Sequence, residues 1–243
     1  MQVLLHVVDQ PAGATGTEIA RALGLPTPTV FHLVNTLVDE GLLVKFDRRY
    51  QLGPKLGVIA DAFLRQHSPP PYLLEPMRHM SEQIKETVYV TAWRHGDVVV
   101  LASIEGSQPL RAAGPHTGYC GLAHARASGK CLLAGVGEDA LDAYLATHPL
   151  TAMTPNTITS EAAFRRELEV VRERGHAMDD EEFHSGIACL AMPLRHEGRT
   201  LAAFSIAAPA DRLRAHERQY VQALRGAVTE ALEGVRGTGP DPD

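Results

Sequence analysis

The stretch TPTVFHLVNTLVDEGLLVKFDRRYQLG, residues 27–53, restricts the possible folds more than any other part of the chain. Val30, Leu33, Val34 and Leu37 recur at i, i+3, i+4 and i+7, the spacing of one buried helical stripe. Thr27 is expected to cap this helix, with Pro28 at its first position, where a missing N–H costs nothing. Gly41 ends it. Leu42–Phe46 and Tyr50–Leu52 then read as two strands, joined by a tight polar turn of Asp47, Arg48 and Arg49. Upstream, Leu4, Leu5 and Val8 share one face of a first helix, and PAGATG breaks it. Thr17 is expected to cap a second helix, TEIARALG, with Ile19 and Leu23 inward and Gly24 as its stop. Three short helices, a tight turn between the second and third, and a two-stranded wing make a winged helix-turn-helix. In that geometry the third helix enters a major groove while the wing lies along phosphates. The pattern by itself also fits a small helical interaction domain.

The chain has 243 residues, room for one large domain or two smaller ones. Its formal net charge of -6 speaks against a surface that binds nucleic acid throughout, but not against one local basic face. Cys120, Cys131 and Cys189 form no C-x-x-C pair, which argues against a disulfide framework or a four-thiolate zinc site. No apolar run approaches ~18–20 residues, so no membrane partner is expected. The start, MQVLLHVVDQ, lacks a basic segment and a cleavage site, so it reads as a folded helix, and the cytoplasm is the expected compartment. Met1 stands almost inside that helix with no capping residue before it, as a truncated start would.

Beyond the wing, PKLGVIADAFLRQ is helical, and HSPPPY punctuates the chain as the end of a linker. A helix is expected from Leu73 to Glu86, then a hairpin of TVYVTAWR and DVVVLASI. A short strand PLRAAG precedes a Gly- and His-rich loop, HTGYCGLAHARASGK. Helices follow near KCLLAGV and EDALDAYLATH, and another is capped by Ser160 and stopped by Gly175. Strands near HAMDDEEF, ACLAMPLR and LAAFSIAAP precede a closing helix. The order indicates an α+β domain with a mainly antiparallel sheet.

Several segments, in order and separation, resemble the IclR family of bacterial transcriptional regulators. They are EIARALGLPTPTVFHLVNTLVDEGLLV, YQLGPKLG, ASGKCLLA, TPNTIT, VRERGHAMDDEEFHSGIACLAMPL and SIAAPADRL. The resemblance covers nearly the whole chain, and Gly175, Asp179, Glu182 and Cys189 stand at the family's spacing. It implies a winged helix-turn-helix over residues 1–53, a linker helix over 54–71 and a GAF-like effector domain over 72–236. Residues 237–243 are expected to be a disordered tail. It also implies a double-stranded DNA operator, a small-molecule effector, and self-association as a dimer or tetramer. No enzymatic activity, cofactor or metal is expected. The chain departs from the family where His32 replaces the usual Arg, at Thr27 and Pro28, and in its short wing turn.

From Ala22 to Val44 there is no Lys or Arg. Base readout does not require a cation: Asn35 can pair with adenine, Thr29 and Thr36 can meet an acceptor or a thymine methyl, and His32 can donate one bond. Phe31 shares their face. Phosphate affinity needs positive charge, which Arg21, Lys45, Arg48 and Arg49 can supply around the helix. Helix starts at Thr17 and Thr27 add N–H groups.

In the second domain, Ala127, Ser128, Gly129 and Lys130 open a helix whose N–H groups suit a carboxylate. By the resemblance, Asp179, Cys189 and Ser205 face this turn, and Leu110 and Ala113 form an apolar wall. Ala207 stands where some relatives offer a hydroxyl, which favours a less polar ligand. Asp179 can equally be an acceptor for loop N–H groups, and Cys189 a small buried hydrophobe. A thiol enzyme built on Cys189 and His184 lacks a third orienting group. His116, Cys120 and His124 recur every four residues, a ligand-like spacing, but Gly118 and Gly121 interrupt any helix there. The alternative function is an effector- or metal-binding regulatory protein that has lost sequence-specific DNA binding.

Overall fold

Two units divide the chain, Met1–His67 and Ser68–Asp243, and the computed structural model describes residues 1–66, 68–112 and 115–238. The first unit holds α1 (Gln2–Val8), β1 (Ala14–Thr15), α2 (Gly16–Leu23), α3 (Thr27–Asp39), β2 (Leu43–Phe46), β3 (Arg49–Leu52) and α4 (Lys55–Gln66). Its small sheet runs β1-β3-β2, and Val3, Val7, Ile19, Val30, Val34, Leu43 and Tyr50 form its core.

Four sequence expectations shift here. In α1 the buried face is Val3 and Val7, while Leu5 and Val8 are exposed and Leu4 is only partly buried. Packing on α2 and β3 fixes the helix one residue away from the expected face. The cap of α2 is Thr15, not Thr17: its hydroxyl accepts from Glu18 N (3.2 Å) while the Glu18 carboxylate accepts from Thr15 N (2.8 Å). This reciprocal pair satisfies two orphan donors, which Thr17 has no acid in place to do. Thr27 lies inside α3, whose cap position is Pro26 and whose side chains supply no capping bond. The buried stripe of α3 is also narrower than its periodicity implies. Val30 and Val34 are buried and Leu37 is partly so, but Leu33 remains 44% exposed.

The wing turn is tighter than a three-residue connection. Phe46 pairs with Arg49, leaving Asp47 and Arg48 as the turn, with φ of 43° and 65°. A two-residue hairpin turn with both φ positive matches strand twist, and glycine fits it best at the second position. An Arg there carries left-handed strain of order 1 kcal/mol. Arg48→Gly should therefore stabilise the unit by about 0.5–1 kcal/mol in a denaturant melt. No gain would mean the turn is relaxed as it stands.

The second unit opens with α5 (Pro71–Ile84). Its antiparallel sheet contains β4 (Thr87–Arg94), β5 (Asp97–Ile104), β6 (Ala177–Asp180), β7 (Ile187–His196) and β8 (Arg199–Pro209), in the order β5-β4-β8-β7-β6. A short 3-10 turn (Ala123–Ala125), α6 (Ala127–Leu133), α7 (Glu138–Thr147) and α8 (Glu161–Arg174) separate β5 from β6. The chain closes with α9 (Ala210–Thr238). Strand alternation sorts the sheet residues to two faces. Val88, Val90, Leu190, Phe204 and Ile206 pack with α5 and α9, and Tyr89, Cys189, Ala191, Ala203 and Ala207 pack with α6 and α8. The fold is thus two-domain α+β, with a winged helix-turn-helix followed by a GAF-like domain.

Residues 109–112 form no strand, contrary to the reading of PLRAAG. Their carbonyls are held by side chains instead of a ladder: Arg212 donates to Leu110 O (2.7 Å) and the Thr87 hydroxyl to Ala112 O (2.7 Å). Residues 113 and 114 lie outside the described residues, so the place of Ala113 is not described. Helix α9 includes the first two residues of the expected tail, and 239–243 also lie outside the described residues.

Candidate functional site

The first candidate surface belongs to the winged unit. Thr29, Phe31, His32, Asn35 and Thr36 are all exposed on α3. They differ in what they have left to offer. The Thr36 hydroxyl donates back to His32 O (3.0 Å), and the Phe31 ring lies over Gly16, where even a methyl group would stand 3.2 Å from it. Phe31 therefore closes α3 onto α2, and Gly16 is the residue that lets it approach. Asn35 has its amide unengaged among the described residues.

The cations around α3 also divide. Arg49 is held within its own unit, donating to Gly13 O (2.7 Å) and to both oxygens of Glu18 (3.3 Å each). That network ties wing, cap and turn together, so Arg49 is committed to structure before any phosphate arrives. Arg21, Lys45 and Arg48 form no ion pair among the described residues, and all are exposed. Lys45 extends over the Tyr50 ring, 5.8 Å from its centroid. Thr17 is exposed in the first turn of α2, but caps nothing.

The second candidate is a row of side chains crossing the sheet on its α6 face. Strand register places Asp179 opposite Cys189, Cys189 opposite Ala207, and Ala207 opposite Thr87. One step along the strands, Ser205 stands opposite both Tyr89 and Ala191. Asp179, Cys189, Ser205 and Ala207 are all at most 8% exposed, so the site is closed in this structure. The structure brings these four side chains onto one face of the sheet. Leu110 does not join them: its side chain is 69% exposed, because its carbonyl is turned to Arg212.

Asp179 does two things at once. One oxygen accepts from Glu182 N (2.7 Å) and Phe183 N (3.2 Å), closing the turn after β6. Burial nevertheless pushes its carboxyl up to about 7, against the pull of those two N–H groups. The Cys189 thiol lies 3.3 Å from the Tyr89 hydroxyl, and burial, then the Asp179 charge, hold it well above its ordinary range. It is an unreactive thiol. Ser205 Oγ is buried without a partner among the described residues.

Helix α6 starts where expected, at Ala127, but its first turn is buried rather than open. A side chain at Gly129 would place a Cβ 2.1 Å from Ala123 O, so only glycine allows that approach. Lys130 is 1% exposed and donates to Glu182 (2.6 Å) and Glu167 (3.2 Å). His124 is buried with Nε2 against Thr151 O (3.0 Å), and burial holds it below its ordinary range.

The sequence reading missed Arg126, Tyr89 and Tyr144. Arg126 is 4% exposed and lies over the Tyr119 ring at 5.1 Å. Its signal was an Arg between small apolar residues in HARASG, a place where a snorkelling surface Arg is not expected.

Comparison with known proteins adds the lineage. Residues 72–232 match the family described as bacterial transcriptional regulator IclR C-terminal, and residues 1–45 match the IclR helix-turn-helix domain. The HTH-type transcriptional regulator Rv1719 of Mycobacterium tuberculosis is 31% identical over 97% of this chain and 90% of its own. The HTH-type transcriptional regulator XynR of Escherichia coli is 30% identical over 96% and 94%. The crystal structure of the Thermotoga maritima IclR superposes with a TM-score of 0.71 at 28% identity, covering 96% of this chain and 95% of that one.

Proposed function

The chain belongs to the IclR family of bacterial transcriptional regulators, and we propose that a small organic acid sets its affinity for an operator. In this reading α3 and the wing contact double-stranded DNA, Asn35 and His32 at bases and Lys45, Arg48 and Arg21 at phosphates. The effector lies on the α6 face of the sheet, near Asp179, Cys189, Ser205, Ala207 and the Ala127–Gly129 turn. Residues 1–53 serve as the DNA-binding part, 54–71 as a linker helix and 72–236 as the effector-binding part.

The observation that carries the effector assignment is the buried polar row. A hydroxyl at Ser205 without a partner costs about 1–3 kcal/mol, which a bound polar guest recovers. Asp179 meets the guest at its hydroxyl end, since an ionised carboxylate repels another anion at close range. Self-association is supported by α4, which buries no residue within its unit and exposes Val58, Ile59 and Leu64. One wing with few free cations binds DNA weakly, so two or four protomers acting together are required.

The test is selection of genomic DNA by the full chain, with and without a panel of small organic acids, followed by calorimetric titration. Asp179→Asn retains the acceptor oxygen for Glu182 and Phe183, so the variant should fold and yet bind the active acid at least roughly tenfold more weakly. Stability supplies a second readout. Asp179 binds a proton more tightly folded than unfolded, so it makes stability fall as pH rises from about 4 through 7. The Asn variant should lack that decline. An acid that binds wild type and variant alike would place the effector elsewhere.

A further inference from the structure

One exposed side chain beside Asn35 on α3 carries no polar atom. Phe31 is 41% exposed, yet its ring is not loose. The ring's outer end lies against Gly16, the first residue of α2. A Cβ added at Gly16 would stand 3.2, 3.2 and 3.6 Å from its Cε1, Cζ and Cε2. The ring therefore spans the junction of the two helices, its tip seated and the rest of its surface open. Closing the junction uses the tip alone. Phe31 and Asn35 are four residues apart, so their Cβ atoms are neighbours at about 5–6 Å on the helix surface.

A major groove presents donors and acceptors from every base, and a single apolar group, the 5-methyl of thymine. Against a polar base edge a phenyl ring is unfavourable, because it displaces water and returns no hydrogen bond. Against the methyl, both partners lose apolar surface to water, which is favourable. Position agrees with chemistry. In helix-turn-helix docking the first helix of the motif crosses the backbone and the second lies in the groove. A ring held between α2 and α3 thus stands between phosphates and groove floor, and the thymine methyl projects on the side of its own strand's backbone. Arg21 is exposed on α2 for a phosphate of that backbone.

We propose that Phe31 is a specificity-determining residue that reads a thymine methyl in the operator. This rests on the reading of α3 as the helix in the groove, and it adds a base contact made by burial alone. The thymine lies within about two base pairs of the adenine read by Asn35, since ~5–6 Å of helix surface covers one or two steps of ~3.4 Å. Gly16 belongs to the same device. Any side chain there would push the ring off its seat and turn it away from a fixed base.

The test uses the full chain and the operator it selects from genomic DNA. Each thymine of that operator is replaced in turn by deoxyuridine, which keeps every hydrogen bond and removes only the methyl. At one thymine in each copy of the recognition sequence, wild type should lose roughly three- to fivefold in affinity, the worth of one buried methyl group. That loss should be the same at low and high salt, because no phosphate contact changes. Phe31→Ala should bind the thymine and deoxyuridine operators equally. The comparison is a double-mutant cycle between one side chain and one methyl. A displaced α3 or a partly unfolded variant weakens both DNAs alike and cancels in the ratio. Phe31→Leu keeps an apolar tip toward Gly16 and should retain part of the preference. A flat deoxyuridine scan in wild type would overturn the assignment, as would a methyl preference that Phe31→Ala leaves intact.

The wider reading fails separately. If the full chain selects no DNA, the groove reading falls and takes this contact with it. If it selects an operator that Asn35→Ala ceases to distinguish from random DNA, while no thymine couples to Phe31, α3 stands as the reading helix and Phe31 does not read.

Discussion

Lys130→Met should destabilise the second unit by about 3–5 kcal/mol in a urea melt, the cost of leaving buried carboxylates without their cation. Lys130 is 1% exposed, Glu182 7% exposed, and their 2.6 Å contact lies beneath the turn that Asp179 closes. Glu182 is already poorly compensated. Burial raises its carboxyl above the usual range despite the adjacent ammonium, and its second oxygen has no hydrogen-bond partner among the described residues. Without Lys130 the folded Glu182 would hold its proton more tightly still. A raised folded carboxyl contributes stability below its unfolded value of about 4.5 that is lost as pH rises toward its folded value. The deficit of the variant should therefore be smaller at pH 5 than at pH 8. Lys130→Met with Glu182→Gln should recover more than half of it, because the second change removes the stranded charge. Glu167 is partly exposed and can rehydrate, so its replacement should recover little. A single-variant loss below about 1 kcal/mol would mean that the triad holds nothing together.

Sequence periodicity made the elements readable, while their exact faces and caps depended on neighbours that the sequence does not display. The hairpin strands TVYVTAWR and DVVVLASI match β4 and β5 residue for residue, and Phe164, Leu168 and Val171 are buried as their spacing predicts. In these elements one face packs against a broad surface, so local pattern and tertiary packing agree. In α1 the surface is narrow, and packing chose Val3 and Val7 over a pattern shifted by one residue. At α2 two threonines compete for the cap, and Glu18 decides for Thr15 by reaching its backbone N–H. At α3 the absence of a side-chain cap leaves the start to Pro26 and Pro28, whose fixed φ does not need one. The resemblance placed Asp179, Cys189, Ser205 and Ala207 together, and strand register sets them on one face of the sheet. It gave no hint that Lys130 is sealed between two glutamates, or that Arg126 is buried with donors to spare. Those facts depend on loops folding over the sheet face, where local residue patterns have no period to follow.

Asn35→Ala should cost about 1–3 kcal/mol on the true operator and little on random DNA, the signature of a group that reads a base rather than a phosphate. The reason is local. Among the polar residues on the exposed face of α3, Asn35 alone has an amide that pairs with adenine through two bonds at once, and that amide is unengaged. Thr36 has committed its hydroxyl proton to His32 O, and Phe31 is occupied over Gly16. Ala is the better helix former, so the variant should fold at least as well as wild type, and lost binding cannot be assigned to lost structure. The contrasting arm is the wing. Lys45→Ala with Arg48→Ala should weaken operator and random DNA to a similar degree. It should also lower the slope of log K against log salt by roughly two for each protomer bound. Arg49→Ala belongs to neither arm, because its partners are Glu18 and Gly13 O, and its loss should appear first in stability. Charge matters here by position more than by amount. A helix without Lys or Arg can sit in a groove when cations beside it hold the phosphates and neutral amides make the choice. If Asn35→Ala weakens both DNAs equally, that division of labour is wrong, and α3 meets the groove in another register.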